Sequence, residues 1–202
     1  MQSRYLIHRG FFRHMRTRYF RKVLSRCGLS VGNRFLDYGC GAGDMLEVCS
    51  ESGIDAYGVD ASARSVGLAA NRGFEVSAAD FESLPYEPAY FDAIFLQSVI
   101  EHAHQPVAML TRLKQYAKKG GLLIVSAPTP ESDFWDDPTH FRPYTPKSFE
   151  VLAEICELEI VEINYVFSFL LGFRLRSSLI YKLLNLLPFP VGTNLIGIFR
   201  VS

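Results

Sequence analysis

The stretch 35–43 constrains the fold of this 202-residue chain more than any other, and it reads Phe-Leu-Asp-Tyr-Gly-Cys-Gly-Ala-Gly. Phe35 and Leu36 end a short apolar strand, and three glycines at alternate positions then let the backbone turn sharply and approach a ligand closely. Apolar residues after Asp44 recur at the spacing of a helix, namely Met45, Leu46, Val48 and Cys49. A strand, a glycine loop and a helix in this order predict the nucleotide-binding opening of a doubly wound α/β fold.

The spacing of the loop indicates which kind of ligand it binds. The glycines follow the pattern Asp-x-Gly-x-Gly-x-Gly, which begins at Asp37. A dinucleotide fingerprint is instead G-x-G-x-x-G, and there a helix N-terminus receives the pyrophosphate. A carboxylate two residues before the first glycine would repel a pyrophosphate and suits a cationic ligand with an amino group. The pattern therefore disfavours a nicotinamide-dependent dehydrogenase.

The rest of the chain alternates between strand-like and helix-like segments. The predicted strands are 34–38, 55–60, 74–79, 90–96 and 121–127, and the predicted helices between them are 44–52, 62–71 and 105–118. Gly120 and Gly121 are interpreted as the end of the last of these helices. This alternation predicts a parallel sheet with helices on both faces. Because ligands bind outside the carboxyl ends of such strands, polar residues at those ends should meet at one edge, namely Asp37, Asp60, Asp80 and Gln97.

Together these motifs resemble the class I S-adenosylmethionine (SAM)-dependent methyltransferases, over roughly residues 33–165 and the final strand. Within that family, the segment after the fifth strand resembles ubiquinone-type O-methyltransferases and sugar-modifying relatives. The resemblance implies one α/β domain over 1–202, a doubly wound, seven-stranded, mostly parallel sheet with an antiparallel last strand, SAM as cofactor and S-adenosylhomocysteine as product. It implies that the cofactor-binding residues are Asp37, Tyr38, Gly39, Cys40, Gly41 and Gly43 around the methionine end, Asp60 and Ala61 at the ribose, Asp80 and Phe81 at the adenine, and Gln97 and Ser98 beside the methyl group.

The acceptor side is predicted to include a long polar and aromatic loop over 128–148. Loops of this length without secondary structure are usually functional or disordered, and the aromatic residues here argue against disorder. His102, just after the fourth strand, and His140, in the loop, are the candidate general bases, although either could be an ordinary hydrogen-bonded histidine. No spacing of His, Cys or Asp indicates a metal site, so a metal-free enzyme is expected. Thr145 and Pro146 are predicted to begin a helix.

Charge divides the chain into three parts. The 21 basic and 21 acidic residues balance, which argues against a nucleic-acid partner. No acid precedes Asp37 or follows Glu162, so two basic, aromatic-rich ends flank an acidic middle. The ends contain a predicted basic helix within 1–30 and a hydrophobic insertion over 166–191. The segments 4–26 and 166–187 could form one surface that meets a membrane or lipid-linked acceptor; solvated helix faces, a core helix or a homodimer face are the alternatives.

The motifs indicate the cofactor more specifically than the acceptor. The favoured function is methyl transfer to an O or N atom of a small or lipid-linked molecule. One alternative is a SAM-binding protein without catalysis that acts through its hydrophobic insertion. A protein or RNA methyltransferase is another, although the fourth strand ends in Gln97-Ser98-Val99-Ile100 rather than an Asn-Pro-Pro-Tyr type of motif. The composition favours a cytoplasmic protein, with peripheral membrane contact as an open alternative; an Arg-rich transit peptide at the N-terminus is a less favoured interpretation.

Overall fold

The computed structural model describes residues 16–130, 134–167, 174–175 and 193–202. Its helices are α1 over 16–26, α2 (Asp44–Glu51), α3 (Ala63–Ala70), α4 (Pro106–Lys114) and α5 (Pro146–Ile155). Its strands are β1 (Arg34–Tyr38), β2 (Asp55–Asp60), β3 (Glu75–Ala78), β4 (Phe91–Gln97), β5 (Ala117–Pro128), β6 (Leu158–Phe167), β7 (Arg174–Leu175) and β8 (Thr193–Val201). Short 3₁₀ turns lie at Ile100–His102 and Phe134–Asp136.

The strands form one sheet in the order β3-β2-β1-β4-β5-β8-β6-β7. Strands β1 to β5 run parallel, and β8 lies antiparallel between β5 and β6. The predicted seven-stranded sheet with its antiparallel last strand is confirmed, and the two-residue β7 adds a short edge strand beside β6. The strand order reverses between β1 and β4, which places the ligand-binding crevice of such a fold at their carboxyl ends.

The central strands are buried on both faces, as a parallel sheet covered by helices requires. In β4, Ile94 and Leu96 join the apolar cluster on one face, which includes residues of α4 and α5. Phe95 joins the cluster on the other face, where Phe20 of α1 and Met45 of α2 pack. The glycine loop, between β1 and α2, is thus held by a rigid two-sided core.

Helix α1 is the described part of the predicted basic helix, and its arginines have partners within the protein. Arg16 forms an ion pair with Asp44 at 2.6 Å, Arg21 pairs with Glu51 at 2.8 Å, and Arg26 pairs with Glu162. Phe20, Val23 and Leu24 are buried beneath the helix. The ion pairs account for these three arginines of α1 without an anionic partner from outside the protein. Residues 4–15 lie outside the described part of the chain.

The predicted hydrophobic insertion over 166–191 also lies largely outside the described residues. Strand β6 extends to Phe167, and Arg174–Leu175 pair with it as β7. In the ranges that the structure describes, no helix is long and apolar enough to cross a membrane. The predicted roles of this insertion, as a lid, a dimer face or a membrane contact, therefore stay predictions.

The predicted boundary between α4 and β5 was wrong. The helix ends at Lys114 rather than at 118, and Gly120 and Gly121 lie inside β5 rather than at a helix end. Gly120 has a φ of 77°, and the register of β4 against β5 shifts between Phe91 and Ala93, which marks a bulge. A Cβ on Gly121 would lie 2.8 Å from the carbonyl oxygen of Lys118. The glycine pair therefore allows the bulge at the start of β5.

A glycine in β8 is expected to be required for stability. A Cβ on Gly197 would lie 2.4 Å from Cζ of Phe199 and 2.8 Å from Cδ2 of Phe149, and both rings are buried. We expect Gly197→Ala to lower the free energy of unfolding by about 1–3 kcal/mol through overpacking, measured by urea denaturation. Gly67→Ala on α3, where a Cβ meets nothing within 4 Å, is the control. A stability loss no larger than that of the control would contradict this prediction.

Candidate active site

The glycine loop closes the carboxyl end of β1 in a left-handed conformation. Gly39, Gly41 and Gly43 have φ values of 85°, 53° and 85°. The amides of Gly39 and Cys40 both donate to the carbonyl oxygen of Val59, at 2.7 and 3.0 Å, and fasten the loop to β2. A Cβ on Gly39 would lie 2.3 Å from Cγ2 of Val99, so a side chain at this position would collide with the segment after β4. The loop is therefore a tight turn that leaves room for a ligand.

Two carboxyl groups lie beside this loop. Asp37 is only 3% exposed, and burial raises its pKa to about 8, with the nearby Asp60 and Asp44 adding to the shift. Asp60 ends β2 and accepts hydrogen bonds from the amide of Gly41 at 2.9 Å and from that of Ser62 at 2.8 Å. Because each carboxylate oxygen can accept more than one hydrogen bond, Asp60 is held in place and still able to bind a ligand. Ala61 is exposed beside it.

The turn after β3 brings Asp80 and Phe81 to the same edge. Asp80 Oδ1 accepts from the amides of Glu82 and Ser83 at 2.9 and 3.2 Å, which fixes the turn. The Tyr38 phenol faces Asp80 and hydrogen-bonds the backbone of Phe81, and burial raises its pKa to about 12. Phe81 is half-buried against the core. The carboxyl ends of β1 and β3 are thus bridged by side chains predicted to contact one ligand.

Cys40 lies in the loop, but its side chain points towards β2. A Cβ on Gly58 would lie 2.9 Å from Cys40 Sγ, so the thiol occupies the space that this glycine leaves. Burial raises the pKa of the Cys40 thiol to about 12, which makes it a poor nucleophile. Cys40 therefore fills the space between the glycine loop and β2.

Strand β4 ends in one unpartnered group and one strained residue. Gln97 Oε1 is buried, and no donor among the described residues reaches it. Ser98 has a φ of 52°, unusual for a residue with a side chain, and its amide donates to the Ser126 carbonyl at 2.9 Å. Such strain is often found at functional sites. The positive φ of Ser98 directs the chain from β4 into the Ile100–His102 turn.

His102 and His140 lie side by side, with ring centroids 4.7 Å apart. His102 Nδ1 lies 3.2 Å from the carbonyl oxygen of Thr139, and His140 Nδ1 lies 2.8 Å from that of Phe134. A carbonyl oxygen only accepts, so these contacts favour a proton on Nδ1 of each neutral ring and leave Nε2 of His102 as a proton acceptor. Nε2 of His140 lies 3.8 Å from the carboxylate of Asp137. Phe134 stacks on His140 with a centroid distance of 4.5 Å. Backbone carbonyl oxygens thus orient both rings, and the Asp137 carboxylate faces that of His140.

Glu101 completes this cluster and was not among the predicted site residues. It is 1% exposed, its carboxyl interacts with Ser98 and faces His140, and burial raises its pKa to about 7. Its Oε2 has no hydrogen-bond partner in the described ranges. The donor atoms of Glu101, His102 and His140 all lie within 4.8 Å of one another, so these three residues could hold a metal ion. The Glu101-His102 pair was visible in the sequence, but neither the burial of the glutamate nor the approach of His140 was.

The described part of the predicted acceptor-side loop is fastened over the end of β4. The Phe141 amide donates to the Glu101 carbonyl at 2.8 Å, and the Tyr144 hydroxyl donates to that of Ile100 at 3.1 Å. Trp135 is 68% exposed. Thr145 caps α5 by accepting from the Ser148 amide at 3.2 Å, which confirms the predicted helix start. The loop thus brings His140 to His102.

The chemistry of these residues fits the cofactor that the sequence resemblance implies. Asp37 is a buried acid whose ionised form a cationic group would stabilise. Asp60 can accept hydrogen bonds from a diol at the end of the second strand, as in nucleotide-binding α/β folds. Gln97 offers a buried acceptor without a partner in the described residues. The carboxyl groups of Asp37 and Asp60 at this edge would repel a pyrophosphate.

Comparison with known proteins gives the family. Residues 11–163 match the methyltransferase domain family. A ubiquinone biosynthesis O-methyltransferase of Cereibacter sphaeroides is 34% identical over 101 residues, which are 47% of this chain and 41% of that protein. A second such enzyme, from an Azoarcus species, is 31% identical over 107 residues, which are 50% of this chain and 46% of that protein. The chain thus spans less than half the length of these relatives.

A solved structure extends the likeness over nearly the whole chain. A SAM-dependent methyltransferase from Archaeoglobus fulgidus is 22% identical with a TM-score of 0.70, and the match covers 97% of this chain and 99% of that one. At this identity the likeness shows the fold. The family match covers more than half of the chain and agrees with the motifs and with the fold. The chain therefore belongs to the family of SAM-dependent methyltransferase domains.

Proposed function

We propose that the protein transfers the methyl group of SAM to an oxygen atom of a small molecule. The observation that carries this proposal is the pair formed by His102 and His140, whose Nδ1 atoms both face backbone carbonyl oxygens. Nε2 of each ring can then accept a proton, and that of His140 does so 3.8 Å from the Asp137 carboxylate, which would stabilise the charged ring. A hydroxyl acceptor becomes a better nucleophile when a base takes its proton. The relatives named as ubiquinone biosynthesis O-methyltransferases support an oxygen acceptor.

The residues of the sheet edge would hold the cofactor from both ends. Asp37 and the glycine loop would bind the methionine end, Asp60 the ribose hydroxyls, and Asp80 with Phe81 the adenine. SAM supplies a methyl group made electrophilic by its sulfonium. Gln97 and Ser98 would border that methyl group and keep the acceptor oxygen aligned with it. Orientation of two reactants in this way supplies much of the rate enhancement of a displacement reaction.

In this mechanism the histidine pair moves the acceptor proton. The hydroxyl proton passes to Nε2 of His102 or His140, and the oxygen takes the methyl group. Glu101 lies against His140 and would stabilise the positive charge that the ring gains. Phe134 holds the His140 ring in place by stacking. The products are a methylated acceptor and S-adenosylhomocysteine.

The test is a methyl-transfer screen with SAM that carries a deuterated methyl group. Phenols, sugars and lipid-linked precursors are offered as acceptors, and products are identified by mass spectrometry. We expect a thermal shift with SAM and none with NAD, and a labelled methyl on an acceptor oxygen. A shift with SAM without any transfer would favour the SAM-binding protein that lacks catalysis. A methylated nitrogen would contradict the oxygen assignment.

The hydrophobic insertion over 166–191 is our candidate for contact with a lipid-linked acceptor, a membrane face or a second copy of the chain. Its basic residues include Arg174, Arg176 and Lys182. Sedimentation with anionic vesicles at low and high salt, with these three residues changed to alanine, tests the membrane contact. Sedimentation equilibrium without lipid tests the dimer. Binding to neither vesicles nor a second copy would contradict both.

The affinity for SAM is expected to rise with pH because of Asp37. Its folded pKa of about 8 lies above the usual 3.8, so the folded protein binds this proton more tightly than the unfolded chain. Stability of the free protein should therefore fall as the pH rises from about 4 to 8. The cationic end of SAM favours ionised Asp37, so calorimetry should show tighter binding at pH 8.5 than at pH 6. Asp37→Asn should remove this dependence; a variant that keeps it would contradict the assignment.

A further inference from the structure

Arg72, just after α3, contacts the glycine loop from outside the predicted ligand site. Its guanidinium donates to the carbonyl oxygen of Ala42 and lies 3.1 Å from the carboxylate of Asp44. A second nitrogen lies 3.1 Å from the carboxylate of Glu47. One side chain thus joins the backbone of the loop to the first turn of α2. Its side chain is 29% exposed, so solvent screens these contacts only in part.

Phe74, two residues later, covers the neighbouring residue of the loop. A Cβ on Gly43 would lie 2.7 Å from Cδ2 of Phe74, so the ring closes over this glycine. The Arg72 guanidinium lies over the same ring, 5.0 Å from its centroid. The segment 72–74 therefore covers the second half of the glycine loop with a ring and a cation.

The first half of the loop is fastened to β2, whereas within its second half the Gly43 amide donates to the Cys40 carbonyl oxygen at 2.9 Å. Gly43 is the N-cap of α2, and no side chain there accepts a hydrogen bond from the helix amides. Its φ of 85° is a conformation that glycine adopts freely, and glycine also loses the most conformational entropy when it becomes ordered. Without a side-chain cap, the geometry of this half of the loop depends on its neighbours, and Arg72 donates a side-chain hydrogen bond to the Ala42 carbonyl oxygen there.

We propose that Arg72 is a positioning residue for SAM, which holds the glycine loop in the conformation that receives the methionine end. This inference rests on the assignment of the loop to SAM under the proposed function. If the loop leaves that conformation for part of the time, the apparent Kd rises in inverse proportion to the fraction that is competent. Once SAM is bound the loop is held by the ligand, so the chemical step should not change.

The experiment compares SAM with 5′-methylthioadenosine, which has the adenosine part but lacks the amino-acid tail. For Arg72→Ala we expect the Kd of SAM to rise about tenfold, as for a loop that is competent about a tenth of the time, and the Kd of 5′-methylthioadenosine to rise less than about twofold. The kcat at saturating SAM should stay at the wild-type value. Arg72→Lys, which keeps the charge but loses the planar donor geometry, should give an intermediate Kd.

Arg21→Ala is the matched control because Arg21 also pairs with α2, but at its last residue, Glu51. We expect this variant to bind SAM as tightly as the wild type does. The inference is overturned if Arg72→Ala leaves the Kd of SAM unchanged, or if it weakens both ligands equally, since equal weakening indicates a general loss of structure. Failure of the wild type to bind SAM would instead overturn the proposed function.

Discussion

Replacing His102 and His140 together by alanine is expected to lower kcat by about 10²- to 10⁴-fold, the usual contribution of general acid–base catalysis. The Kd of SAM should stay unchanged, because no cofactor contact is assigned to either ring. The physical reason is the Nδ1 contact of each ring with a carbonyl oxygen, which leaves Nε2 to accept a proton, in His140 beside the carboxylate of Asp137. The single variants then show which ring takes the proton.

The measurements are single-turnover rates and SAM binding on the same preparations. His104→Ala is the control, since this histidine stacks on Phe141 and lies outside the pair. Full activity of the double variant would show that catalysis needs no base. The same cluster could hold a metal ion, so each rate is repeated after dialysis against a chelator. We expect no change in the rates. If the chelator abolishes activity and a divalent cation restores it, the cluster acts as a metal site and not as a general base.

The succession of strands and helices along the chain and the position of the glycine loop could be predicted because they follow from local patterns. Each parallel strand is a short apolar run, and a glycine with positive φ follows α2 and α3, namely Gly53 and Gly73. The boundary at Gly120 and Gly121 was wrong because a glycine pair ends a helix or forms a bulge with equal ease. Only the pairing with β4 decides between the two.

In the candidate site, too, local patterns predicted some residues, whereas others depend on contacts that are distant in the sequence. The positions of Asp37 and Asp60 could be predicted from the sequence because both lie at the carboxyl end of a parallel strand. Glu101 and Arg72 could not, because their significance depends on contacts with residues far away in the chain. Glu101 matters through His140, and Arg72 through Ala42 and Asp44. The basic residues of α1 suggested an anionic partner, whereas Arg16, Arg21 and Arg26 pair with acids of the same chain.

Asp60→Ala is expected to raise the Kd of SAM by roughly ten- to a hundredfold or more. A hydrogen bond to a charged group contributes about 1.5–3 kcal/mol, and a factor of ten in affinity corresponds to about 1.4 kcal/mol. The variant also removes the acceptor for the Gly41 amide, which loosens the glycine loop. Both effects act in the same direction, so the loss should exceed that of one ligand contact.

Two further variants separate these contributions. Asp60→Asn keeps an acceptor oxygen for the Gly41 or the Ser62 amide but loses the negative charge, so its Kd should lie between those of the wild type and Asp60→Ala. Asp55→Ala, at the opposite end of β2, removes an exposed carboxylate from the same strand and should leave SAM binding unchanged. The Kd of SAM is measured by calorimetry on each folded variant. Wild-type affinity in Asp60→Ala would contradict the prediction and show that another residue holds the ribose.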